Sequence, residues 1–237
     1  MTRLEIQAAV AKVGKYASSE SGDTVEMVER PHGGISLVVV DGQRSGRSAK
    51  SISNLVARKA LSLLAEGVRD GAVARATHDY LRTLRGGKVS AELTIVSVDL
   101  VTRTLVISRN SRCPILVRRN GAQEWLSEAC EAVGIHPNTK PAITEIPLEA
   151  GLTVSVFTDG ILTAGSRKGH KMDVEAVIGE IDGAGVTPVQ ALADGILAAA
   201  LALDDQRPQD DCAVLVVKLV AKSHDDDIRR LAVSFPI

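Results

Sequence analysis

Three acidic sites in the chain share one local pattern. Asp41 closes "ISLVVVDG", Asp159 closes "LTVSVFTDG", and Asp210 with Asp211 precedes "CAVLVV". A strand apolar on both faces belongs inside a packed structure, so its end emerges at the rim of the core, where a carboxylate is held rigidly yet reaches water. Brought to one edge, such carboxylates would repel by on the order of several kcal/mol unless a cation sat among them. A set of oxygen ligands without paired His or Cys selects a hard ion, Mg²⁺ or Mn²⁺, over zinc or copper. The loop "SSESGDTVEM" adds a further acid, Asp23, with Glu20 and Glu26 as alternatives. Taken alone, an Asp-Gly after a strand reads as a turn, the Asp bonding its own backbone and the Gly supplying positive φ. Two Asp-Gly sites and an Asp-Asp in one chain shift the reading toward a metal centre.

The elements that must position these acids follow from periodicity. "LEIQAAVAKV" and "ISLVVV" read as strands separated by a polar, acid-rich loop, "ASSESGDTVEMVERPHGG". From Ser45 the period becomes helical, with Ala49, Ile52, Leu55, Val56, Ala60, Leu63 and Leu64 on one face and Ser45 or Ser48 as the cap. A second helix, "GAVARATHDYLRTLR", ends at Gly86 and Gly87. Strands "ELTIVSVDL", "TLVISRN" and "PILVRRN" follow across the short polar turns "VTR" and "SRC", and "AITEIPL" after a looser, irregular region, which favours an antiparallel meander. After the strand ending at Asp159 come helices around "DVEAVIGEI" and "PVQALADGILAAALA", then the strand "CAVLVVKL". Runs of strands alternating with pairs of helices predict an α+β fold, two antiparallel sheets face to face with helices outside.

Bulk properties narrow the function. The 237 residues, 45% hydrophobic, suffice for one large core, and no compositional shift marks a boundary, so a single domain over 1–237 is expected. No attached sensor domain is expected either. With 28 basic against 29 acidic residues there is no general attraction to nucleic acid or to an anionic membrane. Aromatics at 2% leave little for base stacking. The cysteines, Cys113, Cys130 and Cys212, stand singly, and no long apolar segment occurs, so a cytoplasmic protein in a reducing compartment is expected. Cys113 and Cys212 lack a partner His and read as packing rather than nucleophiles. "SHDDDIRR" near the end reads as a solvated charge run.

In order, "SGDT" from Ser21, "VVDGQRSGRSAK" from Val39, "FTDGI" from Phe157 and "DDCAVLVV" from Asp210 resemble the motifs of the PP2C-type metal-dependent serine/threonine phosphatases. The resemblance is nearest to the bacterial branch that includes the sporulation stage II E phosphatase and the stressosome feedback phosphatase, and runs from about Leu4 to Leu219. It implies a four-layer sandwich of two antiparallel sheets flanked by helix pairs, with two Mn²⁺ or Mg²⁺ ions at one edge. Asp41 matches the aspartate that bridges both ions, and Gly42 the glycine whose carbonyl binds one. Asp159, Asp210 and Asp23 match the remaining acids. Physically, two such ions activate a water for attack on phosphorus, and no covalent phosphoenzyme is needed.

Arg44 beside the metal-binding turn is a candidate clamp for the substrate phosphate. Departures occur where Gln43 and Arg44 stand in the turn that carries a His in many relatives, and where Arg112 and Cys113 replace a small residue and a His; the latter stretch reads as structural. The implied function is removal of phosphate from phosphoserine or phosphothreonine of a small regulatory partner, one that controls a sigma factor or a stressosome in a stress response. The alternatives are a catalytically weak signalling scaffold and a phosphatase of a small metabolite.

Overall fold

The structure, a computed structural model, describes residues 3–31, 33–222 and 227–236. In chain order, β1 (Leu4–Val13), β2 (Thr24–Glu29) and β3 (Ile35–Gly42) precede α1 (Gly46–Ala65) and α2 (Asp70–Arg85). Then come β4 (Ala91–Asp99), β5 (Thr104–Asn110), β6 (Ile115–Arg119), β7 (Ala122–Leu126), β8 (Ala142–Pro147) and β9 (Thr153–Phe157). The short α3 (Asp159–Leu162), α4 (Val174–Asp182), α5 (Val189–Leu203) and β10 (Cys212–Ala221) complete the order. The strands form two five-stranded sheets, β1-β10-β9-β6-β7 and β2-β3-β4-β5-β8, antiparallel throughout.

Three apolar clusters make the layers. Leu37, Val39, Val96, Ile107, Val154, Val156, Leu215 and Val217 fill the space between the sheets. Alternate residues of the same strands turn outward: Val38, Val40 and Ile95 pack under Val56, Ala60 and Leu64 of α1, while Val214 and Val216 pack under Leu192 and Ile196 of α5. That is why β3 and β10 read as continuous apolar runs, being covered on both faces.

The predicted α+β sandwich is the observed one, with local differences. β2 lies inside the segment read as loop; it is the edge strand of its sheet, and its Glu26 and Glu29 are exposed, so its alternation looks polar. β7, another edge strand, fell in a stretch read as irregular. The meander is broken: β4 and β5 pair, but the chain then crosses to the other sheet, where β6 pairs with β9 and β7, and β8 returns to β5. A short turn here changes sheets rather than reversing in one. Ser45 occupies the N-cap of α1, yet its side chain makes no capping hydrogen bond. Of the charge run "SHDDDIRR", residues 223–226 lie outside the described residues, and Arg229 pairs with Glu29.

Candidate metal centre

Four chain segments meet at one edge of the sandwich. The ends of β3 and β9 and the start of β10 deliver Asp41, Asp159 and Asp210, all lining a cavity of about 300 Å³ together with Gly42, Arg44, Glu92, Arg112 and Asp211. The loop before β2 places Asp23 behind them, fully buried. Glu20 and Glu26, the alternatives for that acid, are both exposed and line no part of the cavity.

The backbone behind these acids is tightly fixed. Asp211 is buried; its carboxylate accepts from the backbone N–H of Lys15 (2.9 Å) and of Gly22 (2.8 Å), tying the start of β10 to the loop that carries Asp23. Thr158 accepts from the N–H of Ala213 (2.8 Å) and donates to Asp23 Oδ2 (2.9 Å), tying β9 to both. Lys50 of α1 and Lys12 of β1 donate to the carbonyl of Asp23 at 2.8 and 3.3 Å. Neither Asp-Gly pair is a left-handed turn: Gly42 and Gly160 are not among the positive-φ glycines. A Cβ on Gly42 would lie 2.1 Å from the carbonyl oxygen of Ala49, and one on Gly160 2.2 Å from that of Asp211. Close approach of backbone demands these glycines.

Electrostatics show what the arrangement lacks. Burial pushes Asp41 up from 3.8 to about 9, with Asp23, Asp159, Glu92 and Asp210 adding repulsion. Asp23 rises to about 7, first through burial; the Thr158 hydrogen bond works against the rise, and Asp211 and Asp159 add to it. Asp159, the most open of the set, rises to about 6 through desolvation, then through Asp210 and Glu92, with Arg112 opposing. Three neighbouring carboxyls that resist ionisation have no sufficient counter-charge from the protein.

Among the described residues no group of three or more His, Cys, Asp or Glu is already drawn together to hold a metal ion. The carboxylates ring a cavity instead, and they fit divalent cations on a separate observation: Asp23 Oδ1 is buried with no hydrogen-bond partner. An orphaned carboxylate oxygen beside raised acids is what a site made for hard cations shows without them. Asp23, Asp41, Asp159 and Asp210 would supply side-chain oxygens.

Sequence reasoning missed Glu92, Thr158 and Arg112 as parts of this edge, and named Asp211 only as the neighbour of Asp210. Glu92 pairs in register with Asp41, a relation visible only once the β3–β4 register is known. Cys113 and Cys212 are buried, and burial raises both thiols, Cys212 to about 12, which leaves neither able to act as a thiolate. A second cavity, of about 210 Å³ beside Arg109 and Trp125, contains none of the candidate acids.

Residues 31–220 match the stage II sporulation protein E family. No curated protein matches the sequence. Among solved structures, the PP2C phosphatase domain with a fragment of the regulatory domain of the cell fate determinant SpoIIE, from Bacillus subtilis, superposes with a TM-score of 0.81 at 17% identity; the match covers 94% of this chain and 66% of that one. The catalytic domain of the serine/threonine phosphatase PstP in complex with two manganese ions gives 0.70 at 16% identity, over 92% of this chain and 100% of that one. RsbX in complex with magnesium gives 0.69 at 15% identity, over 92% and 100%. At these identities the structural likeness establishes the fold.

Proposed function

The chain belongs to the stage II sporulation protein E family, and from that premise we propose that it is a metal-dependent protein serine/threonine phosphatase working with two Mn²⁺ or Mg²⁺ ions. The observation that carries the reading is the unpartnered, buried Asp23 Oδ1 behind a cavity edged by Asp41, Asp159 and Asp210. When bound, divalent ions supply Lewis acidity toward phosphate oxygens and toward the attacking water. The protein's part is to hold the ligands. Asp41 and the carbonyl of Gly42, side by side on the cavity wall, would be among the groups that hold the ions. Asp23 is braced by Thr158, and Asp211 keeps the Lys15 to Gly22 loop in position.

The proposed substrate is phosphoserine or phosphothreonine on a small regulatory partner protein, one acting on a sigma factor or stressosome. The cavity lining includes no aromatic and almost no apolar side chain. A small metabolite would find little to grip there, whereas a protein substrate draws affinity from surface beyond the cavity. All three cysteines are free, and among the described residues no helix is long and apolar enough to cross a membrane; we place its action in the cytoplasm and treat 1–237 as one catalytic domain.

The test is hydrolysis of an aryl phosphate and of a phosphoserine protein with Mn²⁺, with Mg²⁺ and with EDTA. Turnover that needs either ion and stops in EDTA is expected. A folded protein inactive with both ions on both substrates would overturn the protein-phosphatase reading.

A further inference from the structure

Six carboxylates crowd this edge: Asp41, Asp159, Asp210, Asp211 and Glu92 on the cavity wall, and Asp23 behind it. Two divalent ions would leave such a set with negative charge in excess. A phosphomonoester arriving as a dianion therefore needs a cation from the protein, and three line the cavity: Lys15, Arg44 and Arg112. They are not equally prepared. Arg44 is exposed on the turn before α1, with left-handed backbone at φ 75°.

Arg112 springs from a fixed base. The carbonyl of Ser111 accepts from buried Arg109 (2.5 Å) and from Cys130 Sγ (3.2 Å); the Ser111 hydroxyl donates to Glu92 (2.5 Å) and accepts from the N–H of Cys113 (3.0 Å). Glu92 Oε1 lies 3.5 Å from Arg112 Nε, so the one carboxylate fixes both the Ser111 turn and the inner end of the guanidinium. The side chain of Arg112 is 82% exposed, with its outer nitrogens free to turn to a ligand. Its charge already reaches the metal edge, since it acts on Asp159.

We propose that Arg112 is the phosphate-contacting residue of this site, oriented by Glu92, and that it gives the outer face of the cavity its preference for a phosphomonoester dianion. This rests on the phosphatase reading above. Glu92 holds Nε, and the two terminal nitrogens offer the paired donors that match two non-bridging phosphate oxygens. The stretch that sequence reasoning took as structural thus carries the substrate contact, and Arg44 becomes its rival rather than the sole clamp.

The experiment compares wild type with Arg112→Ala, Arg112→Lys, Glu92→Gln and Arg44→Ala. Calorimetry with inorganic phosphate in Mg²⁺ is run beside kcat and KM for an aryl phosphate. Arg112→Ala is expected to weaken phosphate binding about tenfold and to raise KM by a similar factor, with the melting temperature unchanged. Arg112→Lys should recover part of that affinity, because a point charge replaces the fork, and Glu92→Gln should weaken binding less than Arg112→Ala. Phosphate affinity and KM unmoved by Arg112→Ala, a full loss with Arg44→Ala alone, or no phosphate binding by wild type would each overturn the assignment. If wild type binds phosphate through Arg112 yet hydrolyses no phosphomonoester, the anion site stands and the phosphatase reading falls. Hydrolysis by wild type with Arg112→Ala indistinguishable from it keeps the phosphatase reading and removes the anion site.

Discussion

Replacing Asp41 with Asn removes one ionisable group and almost no volume, and its effect on the metal-free chain can be worked from the electrostatics of the site. In the folded chain the carboxyl is raised from 3.8 to about 9. At pH 7 the folded chain therefore holds a proton there that the unfolded chain has released. A group raised in this way contributes its stability in full below about pH 4 and loses it as pH rises through 9. Each pH step between 3.8 and 7 costs about 1.4 kcal/mol, an upper bound of roughly 4 kcal/mol at pH 7. Water reaching the open cavity reduces this to about 2 kcal/mol. The Asp41→Asn variant carries no such cost, and the repulsion from Glu92 across β3 and β4, one cause of the raised value, goes with it. In EDTA the mutant should melt about 4 to 8 °C above wild type at pH 7, with a wider gap at pH 8 and a narrower one at pH 5.5. Adding Mn²⁺ should raise the wild-type midpoint more than the mutant's and reverse the order. Differential scanning calorimetry at the three pH values decides it. A mutant that melts below wild type in EDTA at pH 8, or a gap that shrinks as pH rises, would refute the electrostatic account and make Asp41 an ordinary structural acid.

Gly42→Ala should cost about 3 kcal/mol or more in a urea titration, because the new Cβ meets the Ala49 carbonyl oxygen at 2.1 Å, backbone against backbone. Asp211→Ala should cost about 2 to 4 kcal/mol through its two lost backbone bonds and should loosen the Lys15 to Gly22 loop, seen as faster amide exchange at Gly22. Asp182→Ala leaves Lys218 buried without its carboxylate and should cost about 3 to 5 kcal/mol, while turnover per folded molecule stays at the wild-type value, since this pair lies under α4 away from the acids. Iodoacetamide should leave the native enzyme active, with Cys113 and Cys212 labelled only after unfolding, as mass spectrometry would show.

The layered fold was legible because β3, β9 and β10 are covered on both faces, and nothing but buried strands reads as "SLVVV" or "AVLVVKL". Edge strands carried no such signal. β2 and β7 lie at sheet edges and carry the exposed Glu26, Glu29 and Glu124, so their alternation merges with loop composition. Which sheet a strand joins is equally hidden: "ILVRR" is apolar enough for either, and only its fit beside β9 decides. The same limit governs the site. Asp41, Asp159 and Asp210 announce themselves by standing at strand ends. Glu92 stands early in β4 and gains a role only through its register with Asp41, and Arg112 and Thr158 only through which loops meet at the edge.

The strand-Asp-Gly pattern has a different cause from the turn it imitates. At both sites the glycine lacks positive φ and is required because another backbone passes within contact of its Cα: α1 behind Gly42, the Asp211 segment behind Gly160. Close packing of main chain against main chain removes the freedom a turn would have, so the backbone at Asp41 and Asp159 cannot move apart as their charges repel. Asp23 is held just as firmly, through Thr158 on one carboxylate oxygen and two lysines on its carbonyl. Acids free to move would separate and regain ordinary pKa values; acids fixed in this way can only protonate or bind a cation. On the proposed metal-centre reading, the rigidity that the glycines allow is what would give this group of carboxylates its affinity for metal, and it accounts for an acid at the end of a buried strand more directly than any turn does.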